Sequence, residues 1–274
     1  MRFSKSQSQP VFQLSPIVKN LLIINVLMFA VPALIIPNHE LFVDLFGLRY
    51  LFSGQFLPTQ LLTYSVVHAS WSHLFSNMLG LLVFGPILEM RLGAKRFLLF
   101  YFATALGAGL IYSLIHLMEV YPFVAIAREF LAAPDPDLFA RVLAESPGLL
   151  SPRNLSFVEE YGRHPELVQY KEEAVRAVTD LIALRENSPM VGASGAVYGV
   201  MMGFGYLFPN LRMMLLFPPI PVQAKYLIGF YAVAALYYAV EKVPGDNVAH
   251  YAHIGGMLVG WLILRFWKIQ PQRF

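Results

Sequence analysis

Met190-Val-Gly-Ala-Ser-Gly-Ala-Val-Tyr-Gly-Val-Met-Met-Gly-Phe-Gly-Tyr-Leu-Phe-Pro209 is an apolar run with the length of a membrane helix, and a serine with glycines close on either side stands at its start. A hydroxyl there needs either a packing or a chemical explanation. The rest of the chain shares the apolar character. Of 274 residues, 57% are hydrophobic and 14% charged, against roughly 25% charged in an ordinary soluble domain. With a mean hydropathy of +0.56, this is the composition of a membrane protein. The net charge of +3 and pI near 9.0 are explained by membrane topology rather than by a nucleic-acid partner. The chain has no cysteine, which excludes disulfides, a thiol nucleophile and cysteine metal sites. The first sixteen residues are polar, and the apolar run after Lys19 is too long and lacks a small-residue cleavage site. That run is expected to stay as an anchor rather than be cleaved as a signal peptide.

Crossing ~30 Å of hydrocarbon takes roughly 20 residues, and six stretches qualify, near 17 to 37, 72 to 89, 97 to 118, 192 to 209, 224 to 241 and 250 to 268. The expected fold class is therefore all-α, a six-helix polytopic membrane bundle. An even number of crossings puts both ends on one side. Arg2, Lys5, Lys19, Arg91, Lys95, Arg96, Arg212, Lys225, Arg265, Lys268 and Arg273 fall on that side, against Arg49 and Lys242 in the short loops opposite. This asymmetry places both termini in the cytoplasm, and the membrane is expected to be a bacterial plasma membrane. The domain reading is a tail over 1–16, core over 17–118, extracytoplasmic insert over 119–189, core over 190–268 and tail over 269–274.

Residues 38 to 71 are too apolar for a solvated loop and are interrupted by Gly47, Gly54 and Pro58, so they are expected in the membrane interface. After span four, Pro209 to Pro221 is expected to form a re-entry or surface helix cut short by its late prolines. The insert carries twelve acidic residues, seven basic residues and seven prolines. From Pro165, placed in a first helical turn, Leu167, Val168, Ala174, Val175, Val178, Leu181 and Ile182 recur at helical spacing until Asn187 and Pro189. An amphipathic helix leading into the Ser194 stretch follows. Its ordinary reading is a solvated segment packed on its own membrane domain; substrate recruitment or gating is the alternative.

In the expected topology, spans two, four and six all start at the outer face, so His73, Ser194 and His253 share one depth. Each has a plain explanation. Ser194 with Gly192 and Gly195 suits close helix packing, His253 with Gly256 and Gly260 suits a glycine contact face, and His73 with Asn77 at i, i+4 suits a polar seam. Together they suit hydrolysis: a serine at a helix N-terminus has unpaired backbone N–H groups beside it, and a histidine in reach can take its proton. Tyr198 lies on the face of Ser194. His250 competes with His253 for the role of base, and His68 is expected to organise the preceding loop.

His73-x-x-x-Asn77, Gly192-x-Ser194-Gly195 with Tyr198, and His253-x-x-Gly256-x-x-x-Gly260 resemble the rhomboid family of intramembrane serine proteases. Glu89-x-Arg91-Leu92-Gly93 and His68, five residues before His73, also fit. The resemblance covers roughly 17 to 118 and 190 to 268 and leaves the insert unmatched. The Trp-Arg pair common in the first loop of many rhomboids is missing, and Thr59-Gln60 stands near its place. The resemblance implies a dyad in which Ser194 attacks a peptide carbonyl and His253 acts as base and acid. His73, Asn77 and the Ser194 N–H would hold the oxyanion, and Tyr198 would pack on the His253 ring. It also implies transmembrane protein substrates that enter from the lipid bilayer, and no cofactor.

Asp246 is the one candidate for a third member of a triad. Three other readings compete. A rhomboid-like protein that binds membrane helices without cutting them would be marked by loss of the serine or histidine. A metalloprotease would be marked by His-Glu-x-x-His, which is missing. A transporter would carry polar residues along whole helices rather than at one depth.

Overall fold

The computed structural model describes residues 14–35, 39–145, 152–215, 219–241 and 248–272. Asp246 lies outside them, as do Arg2, Lys5, Lys242 and Arg273 from the orientation argument. In chain order the elements are α1 (Pro16–Ile35), α2 (His39–Phe46), α3 (Gln60–Thr63) running into a 3₁₀ turn (Tyr64–Val66), α4 (Trp71–Leu92), α5 (Ala94–Ala132), α6 (Pro136–Ala144), α7 (Pro152–Arg163), α8 (Val168–Asn187), α9 (Ser194–Leu207), β1 (Arg212–Met214), β2 (Pro221–Gln223), α10 (Ala224–Glu241) and α11 (His250–Phe266).

Each of the six apolar stretches is found as a helix. Among the described residues, α4 and α5 are long and apolar enough to cross a bilayer by length and composition. The stretch read as 192 to 209 is helical only from Ser194 to Leu207. Gly192 takes φ +124, where a side chain is strained, and a turn follows at Pro209. At 1.5 Å per residue α9 reaches only ~21 Å.

This short helix is the centre of the molecule, packed against α4, α5, α10 and α11. Its small residues permit that enclosure. A Cβ at Gly199 would sit 2.7 Å from the Thr104 Cβ of α5, and one at Gly205 would sit 2.8 Å from Ile228 of α10. Val200, Phe204 and Leu207 of α9 join Leu81, Leu88, Phe97, Phe100 and Leu264 in the core. The outward faces of α1 and α10 are apolar too, with Ile23, Leu27, Phe230, Val233 and Leu236 all exposed. Such extended apolar surface suits a lipid solvent, since water would penalise each of these side chains.

Glu89, buried near the end of α4, explains why α1 starts where it does. Its carboxylate accepts hydrogen bonds from Ser15 Oγ and from the backbone N–H of Ile17 (3.0 Å) and Val18 (2.9 Å). It thus satisfies donors that the first turn of α1 leaves open. Gly93, at φ +79, then turns the chain from α4 directly into α5.

Three expectations need correction. First, α5 does not stop near 118 but continues to Ala132 through Pro122. Val120, Phe123, Val124, Ala127 and Phe130 recur at helical spacing and bury against Phe139, Val142, Ala174 and Val178 of α6 and α8. That burial outweighs the one backbone bond a proline removes. Second, α8 begins at Val168 with Leu167 as its N-cap residue, so Pro165 lies before the helix rather than in its first turn. Third, the segment after α9 is neither a re-entry nor a surface helix. Arg212–Met214 and Pro221–Gln223 pair as an antiparallel hairpin, with Arg212 opposite Gln223 and Met214 opposite Pro221. Pro219 and Pro221 deny a helix their donors, and the edge of a two-stranded ribbon tolerates such residues.

The first loop is built into the protein. Gln60, only 1% exposed, accepts from the N–H of Leu57 (3.2 Å) and Arg49 (3.4 Å) through Oε1, and its Nε2 donates to Leu45 O (3.3 Å) and Gln55 O (3.5 Å). One glutamine holds the loop together at the place where the Trp-Arg pair is missing.

Candidate functional site

Ser194 is the first residue of α9, and no side chain caps that helix start. The N–H groups of Ser194, Gly195 and Ala196 therefore have no acceptor within the helix. Just upstream, Gly192 donates its N–H to Tyr64 O (2.9 Å), and Ala193 donates its N–H to His68 Nε2 (3.5 Å). Tyr64 is fixed in turn by its hydroxyl, which donates to Ala105 O at 2.7 Å. The serine thus follows a bend whose peptides are bonded to the first loop.

Opposite stands α11. His253 Nε2 lies 2.8 Å from Ser194 Oγ, within the reach required of a base and its nucleophile. The imidazole is buried, 6% exposed. It stacks on Tyr198, one turn along α9, with ring centroids 4.0 Å apart and planes 5° from parallel. A ring stacked in this way keeps its plane. His250, the competing base, stacks instead on Tyr238 of α10 at 5.3 Å.

The approach of α9 to α11 depends on missing side chains. A Cβ on Gly256 would fall on the carbonyl of Gly195, and one on Gly260 would lie 2.9 Å from the carbonyl of Gly199. Gly195 has its own tight neighbours, Ala108 Cβ at 2.7 Å and Ala252 O at 3.5 Å from a notional Cβ. These glycines, one turn apart on each helix, set the separation at which serine and histidine meet.

His73 and Asn77 come from α4 and face Gly192. Measured from a Cβ placed on that glycine, His73 Cε1 and Nε2 lie at 2.6 Å and Asn77 Nδ2 at 3.7 Å. Asn77 is 5% exposed, and its Nδ2 has no hydrogen-bond partner within the protein. A buried amide donor with nothing to donate to is costly unless a ligand or intermediate uses it. His68 and His73 rings meet edge to face at 5.1 Å. Burial, and then the neighbouring His73, push the His68 imidazole down to about 3, so it is a neutral acceptor for the Ala193 N–H. Among the described residues, no three His, Asp or Glu side chains gather as metal ligands.

The structure thus brings together Ser194, Tyr198 and His253, and sets His73 and Asn77 beside Gly192. Sequence reasoning missed Tyr64, whose carbonyl and hydroxyl tie the serine's bend to the core, because an aromatic in an apolar loop carries no distinguishing pattern. It noticed His68 but gave it only a loop role.

A family model described as the rhomboid domain matches residues 55–125 and 173–268. The chain belongs to the rhomboid family. The match takes in α3 and the first-loop turn, α4, α5 as far as Ala125, and the chain from Glu173 within α8 to the end of α11, and it leaves α1, α2, α6 and α7 outside. One curated relative is "Rhomboid protein 1, mitochondrial" of Saccharomyces cerevisiae, 36% identical over 89 residues. That match covers 31% of this rhomboid and 25% of the yeast protein. Membership makes this an integral membrane protein. The family's general activity is intramembrane serine proteolysis, though some members are inactive. The expectation of a bacterial plasma membrane gains no support from a relative named as mitochondrial.

Proposed function

We propose that this rhomboid is a serine endopeptidase that cuts transmembrane protein substrates with a Ser194–His253 dyad. The observation that carries the reading is the 2.8 Å contact between Ser194 Oγ and His253 Nε2, with the imidazole stacked on Tyr198.

The reaction follows from the atoms present. Ser194 Oγ attacks the carbonyl carbon of the scissile peptide, and its proton passes to His253 Nε2. The charge that develops on the carbonyl oxygen falls to the first-turn N–H of Ser194 and to His73 and Asn77, whose idle Nδ2 suits an acceptor that exists only during reaction. His253 then gives the proton to the leaving amine, which leaves an acyl ester on Ser194. A water, deprotonated by the same imidazole, opens that ester and restores the serine. Tyr198 holds the ring plane through both halves.

The same reading takes the six apolar helices as membrane crossings with both termini in the cytoplasm, supported by the lysine and arginine asymmetry of the short segments. In that orientation α9 has its C-terminal end on the cytoplasmic side. Its reach of ~21 Å in a core of ~30 Å leaves Ser194 several ångströms below the outer surface. Substrate helices would have to unwind there to present a peptide bond.

The test is reconstituted cleavage of a transmembrane reporter in lipid vesicles by the wild type, Ser194→Ala, His253→Ala and His250→Ala. Loss of cutting in the first two variants and retention in the third is expected. Equal cutting by all four refutes the protease reading, and loss confined to His250→Ala reverses the choice of base.

A further inference from the structure

The link between α8 and α9, residues 188–193, is held by the first loop. Leu48 and Met190 exchange both backbone N–H···O bonds at 2.8 Å, an isolated antiparallel pair. Gly47 lies so close that a Cβ there would stand 2.7 Å from Pro189 Cβ and 3.0 Å from Val191 Cγ1. Between Gly47 and Leu48 on one side and Tyr50 on the other sits Arg49, 5% exposed. Its Nη1 donates to Asn187 O at 2.6 Å, its Nε to Asp44 O at 3.1 Å, and its Nη2 pairs with Asp44 Oδ1 at 2.9 Å. Asn187 is the last residue of α8, where carbonyls lack intrahelical partners and a cation is favoured. Tyr50 continues into the core formed by α5, α6 and α8.

We propose that Arg49 is a positioning residue for Ser194, and that through it the 119–189 insert takes part in setting the nucleophile. The inference rests on the reading of Ser194 as the nucleophile. Burying a guanidinium is costly unless its fork is matched, and here all three nitrogens are engaged, Nε and Nη2 by Asp44 of the first loop and Nη1 by Asn187 at the end of α8. Arg49 clamps the end of α8, Leu48 clamps Met190, and Tyr64 holds Gly192; Ser194 follows two residues on. Tyr50 is the other arm of the lever. A shift of the insert strains its two attachments to the first loop, Asn187 O on Arg49 and Tyr50 in the core of α5, α6 and α8, and both lie within a few residues of the Leu48–Met190 pair. The insert, unmatched by the family model over α6 and α7, is thereby wired to the serine of the matched core.

The test uses the full chain with Arg49→Met and, to keep the charge on a single nitrogen without the fork, Arg49→Lys. Backbone hydrogen exchange of peptides covering 187–197 is measured beside steady-state cleavage of the transmembrane reporter. Arg49→Met is expected to speed exchange in 187–197 by about tenfold and to lower kcat by about 10- to 100-fold with KM changed by less than about twofold, as misplacement of a reacting group does. Arg49→Lys is expected to fall between, and it carries the comparison alone if the methionine variant does not fold. Unchanged exchange at 187–197 overturns the clamp. A raised KM with kcat intact overturns it too, because Arg49 would then be docking substrate. Ser194→Ala run in parallel separates the two readings: if it still cuts, the nucleophile assignment fails while the exchange result still decides the clamp.

Discussion

Gly256→Ala and Gly260→Ala each insert one methyl group between the backbones of α9 and α11, and the structure ranks their effects. At Gly260 the new carbon stands 2.9 Å from Gly199 O, whereas carbon and carbonyl oxygen settle at about 3.3–3.6 Å. Relief requires an opening of about 0.4–0.7 Å at that level. Carried rigidly along α11, this lengthens the 2.8 Å Ser194–His253 contact to about 3.2–3.5 Å, at or beyond the useful limit for proton transfer. At Gly256 the methyl falls on the Gly195 carbonyl itself, so the opening is larger and lies one residue from the serine. Overpacking of this kind costs about 1–3 kcal/mol. Gly260→Ala should therefore lose stability in that range and cut at least about tenfold more slowly, as sub-ångström errors in a reacting pair do. Gly256→Ala should be inactive. Gly255→Ala is the control, because its methyl meets Ile111 of α5 at 3.0 Å rather than α9; it should lower the melting temperature with a smaller loss of rate. Thermal melts in detergent and initial rates on a transmembrane reporter supply both readouts. Wild-type rates in both Gly256→Ala and Gly260→Ala would show that the glycine contacts do not set the dyad distance.

Two further outcomes are expected. His68 is held at about 3 by burial, below its ordinary 6.5, so the unfolded chain takes up this proton first. The stability that neutral His68 contributes is complete above about 6.5 and is lost as pH falls toward 3, by up to about 1.4 kcal/mol per pH unit. His68→Gln, which keeps an acceptor for the Ala193 N–H, should flatten the decline of melting temperature between pH 7 and pH 4; a decline parallel to the wild type refutes the assignment. Phe139→Ala removes a ring that is 2% exposed and meets Phe130, Phe157 and Tyr161 within 6.1 Å. At about 3–5 kcal/mol for a buried phenylalanine, α6 to α8 should become protease-sensitive at temperatures where the wild type resists. Unchanged resistance would mean that this cluster does not hold the insert together.

The residues that meet at the site were legible because membrane chemistry leaves few polar groups in apolar runs, so Ser194, His73, Asn77 and His253 stood out against their surroundings. The i, i+4 spacing put Tyr198 on the face of Ser194, while its stacking on His253 was an implication of the rhomboid resemblance. What holds the site was not legible. Arg49 looked like a charge on the outer side of a loop, and nothing local reveals that its fork reaches a carbonyl 138 residues away. Tyr64 and Gln60 act through backbone partners, which leave no mark on side-chain spacing. The hairpin after α9 was misread because prolines show only where a helix fails, not what replaces it. Residues 120, 123, 124, 127 and 130 did carry the signal that α5 continues, but it was outweighed by the charged residues and prolines around them. α6 went unread, although Asp135-Pro136 is a cap residue followed by a proline at N1, and the Asp135 carboxylate accepts from the N–H of Asp137 and Leu138.

At 39 residues α5 is one uninterrupted rod of ~58 Å, rooted among α9 and α11 at one end and forming a wall of the insert at the other. Its residue count is therefore an angular setting. Adding a single residue near Glu119 would turn everything beyond it by about 100° and advance it by about 1.5 Å, carrying Phe123, Ala127 and Phe130 off the face that receives Tyr50. The register of the rod, more than any one contact on it, decides which of its faces meets α6, α8 and Tyr50.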